Sequence, residues 1–367
     1  MDFSLNEFQS MLSDSVAKFV GNEYDFATRQ ASAASASAYS PTVWQNFCDL
    51  GWTALPFAES DGGLDGGPIE TMLLMQQFGR GLVVEPYLAN VVLAGGILRR
   101  LATDAQKAQW LQPMISGELQ ATLAFAEPQS RYDIGNIRTT ATKEGDGWII
   151  NGSKAVVLNG GNAGLLIIPA QGDGVSLFAV AGDARGVTRK AYATVDGGSA
   201  AEVALDNVRV DAGASIGPPG QGLAALEAVI DEATLAICAE AVGIMQALTD
   251  KTVEYSKNRV QFGVPIGSFQ ALQHRMVDMF TATEQSYSLL LWATMANADG
   301  TDDARRAVSA IKYQIGTAGK RVAQEAVQLH GGMGMSWEFD VGHYFKRLTV
   351  ICQMLGNADW HLDKLAE

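Results

Sequence analysis

Three short segments of this chain carry the strongest indication of its fold. They read Asn258-Arg259-Val260-Gln261-Phe262-Gly263, then Pro265-Ile266-Gly267-Ser268-Phe269-Gln270, and finally Gln328-Leu329-His330-Gly331-Gly332-Met333-Gly334. The first segment ends a long stretch of helical periodicity, and the free carbonyls of a helix end favour a cation such as Arg259. Its guanidinium can fork onto a diphosphate, and the ring of Phe262 can pack on a flat heterocycle. On its own, such a segment is more often a helix cap followed by a core phenylalanine.

The third segment places glycines after a predicted helix. Gly331 and Gly332 leave the backbone free to approach a ligand closely, and Gln328 offers it both donors and an acceptor. A glycine cap and turn would explain the same residues without any ligand. The occurrence of Arg259, Gln270 and these glycines in one chain favours the functional reading over the cap and turn.

Length, composition and charge limit what the protein can be. The chain has 367 residues, 47% of them hydrophobic and 18% charged, which indicates a well-buried globular protein of two or three domains. Its net charge of -14 argues against nucleic-acid binding, because that binding depends on clustered Lys and Arg. No apolar stretch approaches the roughly 18 residues of a membrane span, and the N-terminus lacks the features of a signal peptide. We therefore expect a cytoplasmic protein.

The cysteine and histidine residues do not predict a metal site. Cys48, Cys238 and Cys352 are far apart in apolar helical surroundings, so we expect buried free thiols. The histidines are scattered without the His-x-x-x-His or Glu-x-x-His spacing of a metal site in a helical bundle. The sequence also lacks a phosphate-binding loop and a dinucleotide glycine motif, which removes support for a kinase or a nicotinamide enzyme.

The periodicity of apolar residues divides the chain into three parts. Residues 1–119 and 223–367 show helical periodicity, whereas residues 120–222 contain short β-branched stretches separated by Gly, Asp and Asn. The last part predicts long helices with short connections, and therefore an antiparallel bundle. The predicted class is α+β, with a helical N-terminal domain, a middle β-barrel or sandwich domain and a C-terminal four-helix bundle.

The predicted elements have the following bounds. The bundle helices are expected at about 223–257, 268–297, 302–330 and 339–355. The strands are expected at 121–125, 139–142, 148–151, 155–157, 165–169, 176–181 and 201–205. A turn-rich exit from the β domain is expected to begin at Asp206.

The three segments together resemble the flavin-binding signatures of the acyl-CoA dehydrogenase family, and the resemblance extends over essentially the whole chain. That family also has the order of α domain, β domain and α bundle. The resemblance implies a role in FAD-dependent α,β-desaturation of an acyl-CoA thioester, an oxidoreductase reaction on CH-CH bonds. It further implies that this chain contacts the FAD of a neighbouring subunit. The residues that would do so are Arg259, Phe262, Gln270, Gln328, Gly331 and Gly332.

The β domain departs from the family pattern. A Thr-Glu-Pro-x-x-Gly-Ser-Asp segment that supports the flavin ring and the CoA thioester is represented by Ala126-Glu127-Pro128-Gln129-Ser130-Arg131-Tyr132-Asp133. A Trp-x-Thr segment that packs on the flavin is replaced by Val156-Val157-Leu158. Because apolar side chains cannot supply the hydroxyl hydrogen bonds that tune a flavin, the resemblance implies a degraded flavin site on this chain.

The base that removes the substrate α-proton is also missing. In the family a glutamate in a Tyr-Glu-Gly-Thr segment does this, and the matching segment is Met354-Leu355-Gly356-Asn357. Some relatives carry the glutamate on the long helix instead, about ten residues before the glycine that matches Gly243, where this chain has Ala233. Glu240 lies nearby but off that position, and we interpret it as a buried or interface carboxylate rather than as the base.

These departures predict that the chain donates half of an FAD site to a catalytic partner chain of the same family, which supplies the base. The chain resembles the small, non-catalytic subunit of heterotetrameric enzymes that desaturate bulky CoA thioesters such as steroid side chains. One alternative is a self-sufficient homo-oligomeric enzyme with a relocated base, for which Glu240 is the candidate. A second alternative is a flavin-free relative that acts as a structural or acyl-CoA-binding protein.

Overall fold

The computed structural model describes residues 4–366, most of which are helical. The α-helices are Glu7–Asn22, Phe26–Ala34, Pro41–Asp49, Pro68–Gly81, Gly95–Leu101, Asp104–Gln106, Gln112–Ser116, Leu223–Asn258, Gln270–Ala298, Ala304–Gln314, Lys320–His330, Val341–Ile351 and Ala358–Ala366. Three π-helical segments, Leu88–Ala94, Lys107–Leu111 and Ile315–Gly319, each continue directly into an α-helix. The helix predicted at 302–330 is therefore continuous from Ala304, with a π-helical turn inside it.

The chain forms two compact units. One comprises the described part of Met1–Gln30, together with Gly67–Val83 and Thr234–Glu367 up to residue 366. The other comprises Ala31–Gly66 and Val84–Ala233. The first unit contains the bundle helices and the second contains the β-sheet.

In the first unit, helix Pro68–Gly81 packs closely on the long helix Leu223–Asn258. A Cβ atom added to Gly243 would lie 1.9 Å from the carbonyl oxygen of Gln76, so only glycine permits this approach. On the same helices, Gln76 Nε2 donates to Gln246 Oε1 at 2.9 Å, and Arg80 pairs with Asp250 at 2.9 Å. The contact fixes the middle of the long helix, which is roughly 50 Å long at 1.5 Å per residue.

In the second unit, eight strands form one mixed sheet. Across the sheet the order is Val187–Ala193, Ser199–Val210, Gly147–Leu158, Thr140–Glu144, Leu165–Gly172, Gly174–Ala181 and Ser215–Ile216, and Ala121–Leu123 pairs in parallel with Leu165–Gly172. Its core is a cluster of buried apolar side chains that includes Ile150, Leu166, Phe178 and Val208. The sheet face that buries this cluster fixes which side chains of each strand point outward.

The predicted α+β class is confirmed, with helical N- and C-terminal parts and a mixed sheet between them. The strands predicted at 148–151 and 155–157 are one strand, because its register shifts at bulges and Asn151-Gly152 interrupts the apolar pattern without ending the strand. The start predicted at Asp206 for the turn-rich exit is wrong, since strand Ser199–Val210 continues in the sheet and the exit begins only after Val210. Domain boundaries at 119/120 and 222/223 stay a prediction.

The longest elements that the sequence interpretation missed are one strand and two helices. Strand Val187–Ala193 lies at the edge of the sheet and is largely exposed, so it lacks the apolar stretch that marks a buried strand. Helices Phe26–Ala34 and Ala358–Ala366 are short, and neither was distinguished from its flanking loops. Among the cysteines, Cys238 and Cys352 are buried, but Cys48 is only half-buried because it lies in the last turn of helix Pro41–Asp49. None of the described helices has the length and apolar composition needed to cross a membrane.

Candidate functional site

A β-hairpin with a two-residue turn follows the long helix. Arg259 directly precedes its first strand, and Phe262 lies in its turn. Val260–Gln261 pairs with Val264–Pro265, and the backbone N–H of Ile266 donates to the carbonyl of Arg259 at 2.8 Å. The two turn residues, Phe262 and Gly263, have φ of 56° and 80°. Positive φ at both positions defines the type I′ turn that suits the twist of a short hairpin.

Phe262 is held in a conformation that phenylalanine rarely adopts. Left-handed backbone costs about 1–2 kcal/mol for a residue other than glycine, and the side chain of this residue is 91% exposed. Its ring makes only an edge contact with Phe269, with the centroids 6.2 Å apart. The hairpin therefore presents an aromatic ring to the outside at a cost in free energy that no packing within residues 4–366 offsets.

The remaining residues predicted to contact the cofactor are also exposed. The Arg259 side chain forms no hydrogen bond or ion pair with any described residue. Gln270 is the first residue of helix Gln270–Ala298, and Gln328 lies in the last turn of helix Lys320–His330. Both are exposed. These side chains are accessible for a ligand that lies outside the chain.

The glycines after helix Lys320–His330 form an open backbone surface. Gly331 has φ of 59° and ψ of -138°, a combination that side chains strongly disfavour. Nothing lies within 4 Å of a Cβ built on Gly331 or Gly332, so these glycines are not required by internal packing. Open glycines at a helix end fit a backbone approached from outside by a ligand.

The structure brings the two helix ends together through aromatic contacts. The rings of Tyr255 and His330 lie 4.4 Å apart, and Tyr255 Oη donates to the His330 carbonyl at 3.4 Å. His330 is buried, its Nδ1 donates to the Ala326 carbonyl at 2.8 Å, and burial lowers the pKa of its imidazole. Sequence reasoning missed Tyr255, although an aromatic residue one helical turn before Arg259 was a visible signal. Arg259 and Gln328 thus belong to neighbouring helix ends.

In the β domain, the carboxylate of Glu127 is buried and saturated with hydrogen bonds. Its donors are Lys154 Nζ at 2.7 Å, Thr139 Oγ1 at 2.6 Å, Thr139 N at 3.1 Å, Arg138 N at 2.8 Å and Gln129 Nε2 at 2.8 Å. Burial raises the pKa of Glu127, but the bonds from Lys154, Thr139 and Gln129 outweigh it and lower the pKa to about 2. Burial lowers the pKa of Lys154, whose ammonium also donates to the Pro169 carbonyl at 2.7 Å. The ion pair ties the loop after Ala121–Leu123 to the sheet.

The residues beside this ion pair lack the hydroxyl and aromatic groups of the family pattern. Ala126 offers no hydroxyl, and its carbonyl accepts from the Ala155 backbone at 2.9 Å. Val156 stands on a bulge with φ of 51° and is 56% exposed, and its N–H donates to Glu202 Oε1 at 3.3 Å. The backbone N–H of Val156 is therefore already bound by the Glu202 carboxylate. Its exposed side chain takes the position that is aromatic in the family pattern.

The turn that the sequence analysis matches to the family's base segment is ordered by hydrogen bonds and carries a leucine. Leu355 is half-buried with φ of 54°. The buried ammonium of Lys312 donates to the Gly356 carbonyl at 2.6 Å, and His361 Nε2 donates to the Leu355 carbonyl at 3.0 Å. Asn357 Oδ1 accepts from Trp360 N at 3.0 Å and caps the last helix. The turn is preorganised, yet its side chain cannot accept a proton.

Glu240 is buried and fully engaged. It is 3% exposed, and Arg347 forks onto it with Nε to Oε1 at 2.5 Å and Nη2 to Oε2 at 2.7 Å. A carboxylate with both oxygens held by a guanidinium is a structural ion pair and is poorly placed to accept a substrate proton. Within residues 4–366, no cluster of His, Cys, Asp or Glu has the arrangement of a metal site.

Comparison with known proteins identifies the class. Three family models match consecutive parts of the chain: the acyl-CoA dehydrogenase N-terminal domain at residues 6–118, the middle domain at 122–208 and the C-terminal domain at 220–367. A Bacillus subtilis (strain 168) protein named "Probable acyl-CoA dehydrogenase YngJ" is 31% identical over 356 residues, which cover 93% of this chain and 92% of the relative. The chain belongs to the acyl-CoA dehydrogenase family.

Solved structures show the same architecture. The ChsE4-ChsE5 complex from Mycobacterium tuberculosis is similar with a TM-score of 0.92 and 28% identity, covering 100% of this chain and 98% of that chain. A Tcur3481-Tcur3483 steroid ACAD variant is similar with a TM-score of 0.90 and 28% identity, covering 99% and 98%. Members of the family bind FAD, and the general function that membership supports is FAD-dependent acyl-CoA oxidation.

Proposed function

We propose that this chain is a donor subunit, which lends Arg259, Phe262, Gln270 and Gln328 to the FAD site of a catalytic partner chain. The partner is a homologous chain that keeps the flavin-tuning side chains and the base, and the two chains form a heterotetramer in the cytoplasm. The substrate is an acyl-CoA thioester with a bulky acyl group. When bound, FAD supplies the acceptor for the hydride of the desaturation, while this chain's residues hold and orient it.

The single observation that carries the proposal is the exposed aromatic ring of Phe262. It is 91% exposed on a turn whose backbone disfavours phenylalanine, so two separate free-energy terms oppose its presence in an isolated chain. Arg259 adds a guanidinium without an internal partner among residues 4–366. An aromatic ring and a free guanidinium together match a dinucleotide, whose ring can be stacked and whose diphosphate can be forked.

The chain's other half-site supports a donor rather than a self-sufficient enzyme. Leu355 stands in the predicted base turn, and Glu240, the alternative carboxylate, is occupied by Arg347. Ala126 and Val156 supply neither the hydroxyl nor the indole of the family pattern. The alternative of a homo-oligomer with a relocated base therefore has no available carboxylate at Glu240. Two similar solved structures have names that pair two chains, ChsE4-ChsE5 and Tcur3481-Tcur3483, which supports a heteromeric assembly. The second is named as a steroid ACAD, which supports a bulky substrate.

The test compares flavin content of the chain expressed alone with that of a co-expressed pair. The partner is a homologous chain that carries Trp-x-Thr and a base glutamate. We expect little or no flavin in the lone chain and about one FAD per pair in the complex, read from absorbance and protein mass. Stoichiometric flavin in the lone homo-oligomer would contradict the donor role. A stable pair without flavin would instead support the flavin-free alternative.

A further inference from the structure

A cleft opens beside the C-terminal end of the long helix, within the first compact unit. Its volume of about 440 Å³ lies in the range of roughly 300–1,000 Å³ that is common for sites of small molecules. Three aromatic side chains line it: Phe26 from the start of helix Phe26–Ala34, Tyr255 from the last turn of the long helix, and Phe339 from the segment before helix Val341–Ile351. We call this cavity the acidic cleft, because carboxylates line the rest of it.

The charged residues of the acidic cleft carry an excess of negative charge. Glu254, Glu338 and Asp340 contribute carboxylates, whereas Lys251 contributes the one ammonium of the lining residues. Lys251 Nζ pairs with Asp340 Oδ2 at 2.8 Å, so these two charges offset each other. Glu338 is exposed and forms no hydrogen bond or ion pair with any residue in 4–366. Glu254 Oε1 accepts from the neutral amide of Asn258 at 2.6 Å. Two carboxylates of the cleft therefore have no cationic partner within the described part of the chain.

A buried acceptor without a partner adds to the negative potential beside the acidic cleft. The imidazole of His330 is 3% exposed, and its ring centroid lies 4.4 Å from that of Tyr255 and 5.5 Å from that of Phe339. Because Nδ1 donates to the Ala326 carbonyl, and burial lowers the pKa of the ring, Nε2 carries a lone pair at physiological pH. This atom has no hydrogen-bond partner among residues 4–366. An acceptor left unpaired in this way is costly, and a nearby cation would reduce the cost.

We propose that the acidic cleft binds an organic ammonium ion. The three aromatic rings pack against the alkyl groups of such a ligand and attract its charge through their electron-rich faces, and the two unpaired carboxylates stabilise the same charge. A diphosphate is disfavoured, because it would meet these carboxylates without a free cation. The cleft is therefore distinct from the neighbouring half-site, which is predicted to hold an anionic cofactor. None of its lining residues belongs to that half-site, so the proposal does not rest on the donor role.

The experiment is a ligand-detected NMR titration of the full chain with choline, n-butylammonium and 3,3-dimethylbutan-1-ol. The alcohol has the shape of choline but no charge, so it isolates the contribution of the positive charge without any change to the protein. We expect both cations to bind, with an affinity that decreases as salt increases, and the alcohol to bind at least about tenfold more weakly. Tighter binding of choline would identify a quaternary ammonium as the ligand, and tighter binding of n-butylammonium a primary amine that donates to the carboxylates.

Two variants locate the binding in the acidic cleft. Glu254→Gln/Glu338→Gln removes both unpaired charges, keeps the side-chain volumes and retains an acceptor for Asn258, so its melting temperature should equal that of wild type. It should weaken choline binding by about five- to thirtyfold, the upper part of the range for two partly exposed ion pairs. Phe339→Leu should weaken it by about two- to fivefold, the range of one cation–π contact.

Asp299→Asn is the control for the loss of a negative charge. Asp299 is exposed and ends helix Gln270–Ala298, about 40 Å along that helix from the end that follows the hairpin. A charge at this distance is screened by salt, so the variant should change choline binding by less than about 1.5-fold. Equal binding of the alcohol and choline, no binding of either cation by wild type, or unchanged affinity in Glu254→Gln/Glu338→Gln would overturn the proposal.

Discussion

Glu240 and Arg347 join the long helix Leu223–Asn258 to helix Val341–Ile351 by a two-bond fork, with Nε to Oε1 at 2.5 Å and Nη2 to Oε2 at 2.7 Å. The carboxylate side chain is 4% exposed and the guanidinium 21%. Arg347 also reaches the Sδ atom of Met354 at 4.0 Å, immediately before Leu355. Glu240, the carboxylate that the sequence offered as a relocated base, therefore belongs to a structural ion pair. Through Arg347 this pair lies close to the turn that carries Leu355.

We predict that Glu240→Gln impairs stability far more than chemistry. The variant keeps the side-chain volume but leaves Arg347 facing a neutral amide. The free energy of unfolding should fall by about 1–3 kcal/mol, less than for a fully buried pair because Arg347 is partly exposed. Desaturation by the heteromeric complex should fall by less than about tenfold, whereas loss of a general base reduces the rate roughly 100- to 10,000-fold. Denaturant unfolding and flavin reduction by an acyl-CoA measure the two effects.

The double variant Glu240→Gln/Arg347→Leu is the control for this prediction. It removes both charges, so it should be more stable than Glu240→Gln alone. A loss of several hundredfold in rate for Glu240→Gln, with assembly and flavin content intact, would show that Glu240 is the base and that the chain is not a passive donor.

A second prediction concerns Phe262→Asn. Asparagine adopts left-handed backbone more readily than phenylalanine, so the lone chain should be as stable as wild type or more stable by up to about 1 kcal/mol. The complex should retain less flavin, because the stacking ring is gone. Phe262→Tyr keeps the ring and should behave as wild type in both measurements. If the lone chain is destabilised by Phe262→Asn and the complex keeps its flavin, the ring serves folding and not the cofactor.

The polar members of the half-site give a third prediction. In the complex, Arg259→Ala should weaken flavin retention by about 1.5–3 kcal/mol, the scale of a hydrogen bond to a charged group, and Gln328→Ala by about half of that. Neither should change the melting temperature of the lone chain. Arg321→Ala is the control, because it breaks only an exposed ion pair with Asp278 at 2.7 Å. Absorbance after dialysis measures the flavin content of each variant. Unchanged content in all three variants would show that Arg259 and Gln328 are helix-end residues that do not hold the flavin.

Much of this molecule was accessible from sequence because its signals are local. The long helices have extended apolar periodicity, so pattern alone located them. The segments predicted to form the half-site are also local, since each lies within a few residues. The pairing of Glu240 with Arg347 joins residues 107 positions apart, and that of Glu127 with Lys154 joins residues 27 apart. No local pattern specifies which of the carboxylates meets which cation. Strand Val187–Ala193 escaped for a different reason, since an exposed edge strand needs no apolar face.

The last prediction concerns the acid sensitivity of the base turn and rests on His361. Its imidazole is 4% exposed, Nε2 donates to the Leu355 carbonyl, and burial lowers its pKa from 6.5 to about 4. The folded chain therefore resists protonation that the unfolded chain accepts, so His361 contributes stability above pH 6.5 and loses it as the pH falls towards 4. A difference of this size corresponds to about 3 kcal/mol. His361→Gln retains a donor for the Leu355 carbonyl but cannot titrate, so its unfolding free energy should fall much less between pH 6.5 and 4. Urea unfolding of both proteins across this range measures the difference, and parallel pH profiles would show that His361 does not govern the acid sensitivity.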